Sequence, residues 1–182
     1  MAHDFTTSYL KDSLGLLRHY KGLAERAMAQ VPDEAFGKSL DAESNSIATI
    51  VKHLAGNMRS RFTNFLSSDG EKPDRNRDTE FEAPPKTRTE VMQLWETGWE
   101  YVFSALTPLS DADLIRTVLI RTEPHSVMQA INRQIAHYCS HIGQIIFLAK
   151  HFAGDQWNAV TIPRGKSAEF TGKVTKGQLS QR

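Results

Sequence analysis

The 182-residue chain contains one cysteine, Cys139, so it can form no internal disulfide, and a reducing cytoplasm is its expected location. No apolar run approaches the roughly 20 residues that cross a bilayer. The opening residues, Met1-Ala2-His3-Asp4-Phe5-Thr6, lack the basic start and apolar run of an export signal. Neither charge dominates. There are 22 basic and 21 acidic residues, which argues against a nucleic-acid or anionic-membrane partner. Sustained strand alternation, internal repeats and the G-x-S-x-G nucleophile elbow are also missing. What remains is the expectation of one soluble domain over residues 1–182. Its 40% apolar and 24% charged content is ordinary for a chain that buries a core.

Helical periodicity is plentiful. A first stretch puts Leu10, Leu14, Leu17, Tyr20, Ala24, Ala27, Met28 and Val31 on one face before Pro32-Asp33 interrupts it. A second, from about Ser44 to Leu66, carries Ile47, Ile50, Val51, Leu54, Met58, Phe62 and Phe65, with Ser44 or Asn45 as its expected cap. A third runs from about Thr87 to Leu106, with Thr87 or Thr89 as cap, and a fourth from about Ser126 to Phe152. Between the second and third lies a charged connection with Pro73, Pro84 and Pro85, long enough for an end-to-end crossover. Thr117–Thr122 is β-prone and predicts a short strand or extended arm, ended by Pro124. The tail from about Asp155 shows little periodicity; Trp157, Val160, Ile162 and Phe170 are its candidate anchors. The pattern predicts an all-α four-helix bundle with a long crossover loop and a short extended segment before the last helix.

The chemistry concentrates on histidine. His137 and His141 stand one helical turn apart, about 40° around the axis from each other, with Gln134 and Gln144 on the same stripe. Two neutral imidazoles so placed can converge on one divalent ion; the alternative is a half-buried pair bonding locally. Tyr138 follows His137, so the glutamate base of H-E-x-x-H is missing. Cys139 projects roughly 160–200° away from both and is a poor ligand. On the second helix, His53 borders the apolar face, with Asn57 one turn on and Arg61 two turns on. An arginine inside an apolar arc is either snorkelling, internally ion-paired, or an anion-binding group.

Other candidates are weaker. Arg164-Gly165-Lys166-Ser167 resembles the end of a phosphate loop, but the first glycine is missing and no strand precedes it. His3, His19, His125 and His151 have no paired spacing and read as surface or local structure, with His125 the best placed to support the site. Trp95 and Trp99 read as core or dimer packing, or else as a substrate wall. The acids of the long loop, Asp69, Glu71, Asp74, Asp78, Glu80 and Glu82, read as solvated, or as a supplementary carboxylate at the metal.

Two sets of residues resemble the DinB-like superfamily of bacterial four-helix metalloproteins, which includes bacillithiol- and mycothiol-dependent transferases. They are His53-Leu54-Ala55-Gly56-Asn57, and His137-Tyr138-Cys139-Ser140-His141-Ile142-Gly143-Gln144-Ile145. Arg61–Leu66 with Asp69–Pro73, and Ile162–Phe170, look closer to a subfamily of unknown function, and the resemblance covers nearly the whole chain. It implies an up-down-down-up bundle, a frequent homodimer, and a divalent metal, zinc or nickel, held by His53, His137 and His141. It does not fix a reaction. The expectation is an enzyme acting on a small molecule, either transferring a low-molecular-weight thiol to an electrophile or hydrolysing its substrate. A non-catalytic bundle tied by its metal is the other class. Asn57, Arg61 and Gln144 are the residues expected to surround the ligands.

Overall fold

Serine and threonine set where each long helix begins. Helix α1 (Tyr9–Met28) starts after Ser8, whose side chain accepts from the Lys11 backbone N–H. Helix α2 (Ile47–Phe62) starts after Ser46, which accepts from Thr49 N–H. This is later than the expected cap, because the Ser44 hydroxyl is engaged with Asp41 at 2.7 Å in the preceding loop. Helix α3 (Arg88–Leu106) follows Thr87 in a reciprocal capping box with Glu90. A hairpin of strands β1 (Thr117–Ile120) and β2 (Glu123–Ser126) leads into helix α4 (Val127–Ala153), capped by Ser126 with Gln129. A short helix α5 (Ser167–Thr175) lies in the tail. The computed structural model describes residues 5–180.

The described residues are mostly helical, with one small two-stranded sheet. The apolar faces of α1 to α4 share one buried cluster that includes Leu17, Leu54, Trp99, Ile131 and Ile142. Helix α1 packs on α4 and α2 on α3, and α2 also meets α4. The α2–α3 contact is close at Gly98, where a Cβ would lie 3.1 Å from Ala55 Cα. Trp95 and Trp99 are each 1% exposed within the single chain, and neither lines the histidine cavity described below, so their role is core packing. No helix among the described residues is long and apolar enough to cross a membrane.

The hairpin departs from expectation. Pro124 does not end the extended segment; it sits inside β2, opposite Leu119. A two-stranded ribbon leaves one edge of each strand unpaired, so a residue without an N–H is tolerated there. The turn is made by Arg121 and Thr122, both left-handed (φ 56° and 65°), without glycine. The Asp69 carboxylate accepts from both of their N–H groups, at 2.8 and 2.6 Å. Gly70 N–H adds a bond to Leu119 O at 2.7 Å. The start of the loop from α2 to α3 therefore clamps the hairpin.

The tail also differs. Trp157 and Val160 pack against the core, but Ile162 is exposed and α5 buries no residue. Instead, Glu169 pairs with Lys173 and Lys166 along the surface of α5. A helix supported by such pairs has no apolar stripe to show in its sequence.

Candidate metal centre

One turn of α4 separates His137 from His141, and α2 presents His53 to the same point. His53 Nε2 lies 3.2 Å from His137 Nε2, and His141 Nε2 lies 3.1 Å from His137 Nε2. One ligand nitrogen from each residue falls within 4.8 Å of the other two. Tetrahedral zinc–imidazole bonds of about 2.0–2.1 Å would separate ligand nitrogens by roughly 3.3–3.4 Å. The two measured separations suit a shared ion of that size.

The outer nitrogens decide where the inner lone pairs point. His53, 4% exposed, faces Glu80 Oε2 through Nδ1 at 2.8 Å. A carboxylate accepts, so Nδ1 carries the proton and Nε2 turns an unprotonated lone pair inward. Gln144 Oε1 does the same for His141 Nδ1 at 3.0 Å. His137 has no such outer partner among the described residues, and its one proton cannot satisfy two inward lone pairs. A cation can satisfy all three.

Electrostatics favour the ligand form. Burial, then His141, His53, Arg75 and Arg133, push the His137 pKa down to about 3. Burial also lowers that of His141, against the opposing bond to Gln144. Both imidazoles are therefore neutral near pH 7.

Glu80 is the residue that sequence reasoning misjudged. It is 6% exposed, and Arg75 grips it through Nε at 2.8 Å and Nη2 at 3.0 Å. Burial opposes its ionisation, but the bonds from His53 and Arg75 outweigh this and hold its carboxyl below the usual range. It stands behind His53, outside the nitrogen triangle. A 3-10 turn at Asp78–Phe81, packed on α2, delivers it, and the Phe81 ring stacks on His53 at 4.8 Å. The available signal was Gly56, a glycine inside α2. A Cβ there would lie 2.5 Å from Glu80 Oε1.

The remaining candidates sort by contact. Asn57 accepts from the buried Tyr138 hydroxyl at 3.2 Å, so it braces α2 against α4 and does not touch a histidine by hydrogen bond. Arg61, 5% exposed, donates to Gly70 O and to Glu71 at 2.9 Å, the internal ion pair among its three readings. Asp69 serves the hairpin and Asp74 pairs with Arg59. His125 bonds the nearby Glu123 carbonyl, His151 packs on Phe152 and His19 on Tyr20; His3 lies outside the described residues. Cys139 is half-buried, and burial raises its thiol pKa. Arg164–Ser167 leads into α5 with no strand before it.

The three histidines open onto a cavity of about 950 Å³. Its wall also carries Asn57 and five arginines, and, among the described residues, no acidic one.

The family described as "Protein of unknown function (DUF1572)" matches residues 4–166, a span that includes the three histidines and the loop that carries Glu80. No curated protein and no solved structure matches the chain. With most of its length covered, the chain belongs to the family of proteins of unknown function DUF1572.

Proposed function

We propose that the protein is a metal-dependent enzyme of the DinB-like kind, its four long helices forming an up-down-down-up bundle around one divalent ion. His53, His137 and His141 hold the ion, and zinc or nickel suits three imidazoles best. The observation that carries this reading is the convergence of three ligand nitrogens, two of them on rings held from outside by Glu80 and Gln144, at the wall of an open cavity.

Catalysis is favoured over a purely structural role because, among the described residues, no fourth histidine, cysteine or carboxylate joins the cluster. Structural zinc sites are closed by a fourth protein ligand, whereas catalytic ones keep a position open. Bound there, a divalent ion supplies Lewis acidity and lowers the pKa of a coordinated thiol or water. Glu80 and Gln144 hold the protons on the outer nitrogens and so orient His53 and His141. The cavity wall has no carboxylate to act as a base. That favours transfer of a low-molecular-weight thiol to an electrophile: His53, His137 and His141 would hold the ion, and the ion would supply the acidity that makes the thiol a thiolate without a protein base; hydrolysis is the second reading. A homodimer in the cytoplasm belongs to the same proposal, and it rests on the resemblance, since Trp95 and Trp99 are buried in the single chain.

Metal analysis of native protein, followed by zinc and nickel titration of the stripped chain, tests the centre. The expected result is one ion per chain, with His141→Ala weakening affinity at least about 100-fold. A stripped chain that takes up neither ion, or full thiol-transfer or hydrolytic activity without metal, would overturn the reading.

A further inference from the structure

The charge of this chain is nearly balanced overall, yet the cavity beside the histidines is not. Five arginines line it: Arg61, Arg75, Arg77, Arg121 and Arg133. Three are already used by the fold. Glu71 binds Arg61 at 2.9 Å and Arg121 at 3.1 Å, and Glu80 holds Arg75. Two carboxylates against five guanidinium groups leave an excess of three positive charges before any metal is bound.

The other two arginines are different. Among the described residues, neither Arg77 nor Arg133 makes a hydrogen bond or ion pair through its side chain. Arg133 lies one turn before His137 on α4 and is exposed. Arg77 is also exposed and lies over the Phe81 ring at 5.1 Å, the same ring that stacks on His53. Deeper in the same wall are two buried polar atoms without a protein hydrogen bond, Arg61 Nε and Gln134 Oε1. Gathering five like charges around one cavity costs electrostatic energy, and apart from the Arg77–Phe81 ring contact neither Arg77 nor Arg133 has a side-chain partner among the described residues.

We infer that the substrate is a small molecule carrying a carboxylate or phosphate group, and that Arg133 and Arg77 are the side chains that bind this anion beside the histidines. That the anion belongs to a substrate rests on the metal-dependent-enzyme reading; the anion contact itself does not. Guanidinium forks suit oxyanions because they donate two parallel N–H bonds to two oxygens, and an excess of positive charge in a concave wall draws anions in.

The test uses the whole chain and calorimetry. Malonate and inorganic phosphate are titrated into stripped protein, with uncharged malonamide as the control, and the same is done with Arg77→Ala, Arg133→Ala and the double variant. Both side chains are exposed, so the variants fold; circular dichroism and zinc affinity, expected within about threefold of the parent, check this. The expected result is saturable anion binding that weakens with salt, falls about tenfold or more in the double variant, and is absent for malonamide. The stronger of malonate and phosphate tells which oxyanion the substrate carries. Anion binding equal in parent and double variant, or malonamide binding as tightly as malonate, would overturn the inference. So would a chain that binds zinc but neither anion. Arginine-dependent anion binding in a chain that takes up no metal would support this inference while removing the metal centre.

Discussion

At the scale of the residue, the site depends on groups one layer outside the ligands. Glu80→Ala should weaken zinc affinity about 10–100-fold, because it frees the His53 ring and its tautomer. It should also destabilise the fold by about 1–3 kcal/mol, since buried Arg75 loses its shorter pairing and keeps only the 3.4 Å one with Glu71. Competition titration and urea unfolding separate the two effects; unchanged zinc affinity would show that Glu80 only neutralises Arg75. The depressed His137 and His141 pKa values predict a pH dependence for the metal-free chain. The unfolded imidazoles take protons near the ordinary 6.5, while folded His137 resists protonation down to about 3. The unfolded state therefore binds more protons across that interval, and stability falls as pH drops from about 6.5 towards 3. Below the ordinary carboxylate range, Glu80 and Glu71, whose pKa values are also lowered, add to the loss. Replacing both His137 and His141 with Asn should flatten the upper part of the curve, measured as denaturation midpoint against pH. The His137–His141 pair was legible because helical spacing places side chains on known stripes, and the resemblance, not spacing, joined His53 to it. Glu80 and Arg75 were not, because no periodicity relates a loop carboxylate to a histidine 27 residues earlier.

At the scale of the element, the hairpin shows what local sequence rules leave out. Two-residue hairpin turns favour glycine or asparagine, and Arg121-Thr122 has neither. The turn is held from outside, by a carboxylate 52 residues earlier. Asp69→Ala should therefore cost about 1–3 kcal/mol by leaving two turn N–H groups without their acceptor. Thr122→Gly should recover about 1 kcal/mol by relieving a β-branched residue at positive φ. Equilibrium unfolding of the two single variants and the double variant checks this; an Asp69→Ala chain as stable as the parent would show that the clamp is idle. The long helices were legible from apolar periodicity and from the capping residues, with α2 shifted by a competing Ser44–Asp41 bond. Helix α5 and strand β2 were not, because one buries nothing and the other contains a proline.

At the scale of the whole molecule, the core and the candidate site are separable. The apolar faces of α1 to α4 meet in one cluster that needs no ion to close it. Stripping the metal should leave the helical signal intact and lower the melting temperature by only a few degrees, and added zinc should restore it by mass action. A stripped chain without helical signal would instead identify the metal as part of the fold. Sedimentation tests the homodimer, which would have to use surface other than the buried tryptophan pair.

Glu71 joins three arginines contributed by α2, the long loop and the hairpin turn: Arg61, Arg75 and Arg121. This has a consequence in time. While the chain is being made, Glu71 can meet Arg61 and Arg75 early, but Arg121 emerges 50 residues later and His137 later still. A half-made chain thus has part of the cavity wall and one of the three imidazoles, and cannot trap an ion at the triad. In refolding, zinc uptake at the triad should accordingly wait until α4 has met α2, since two of the three imidazoles arrive on α4.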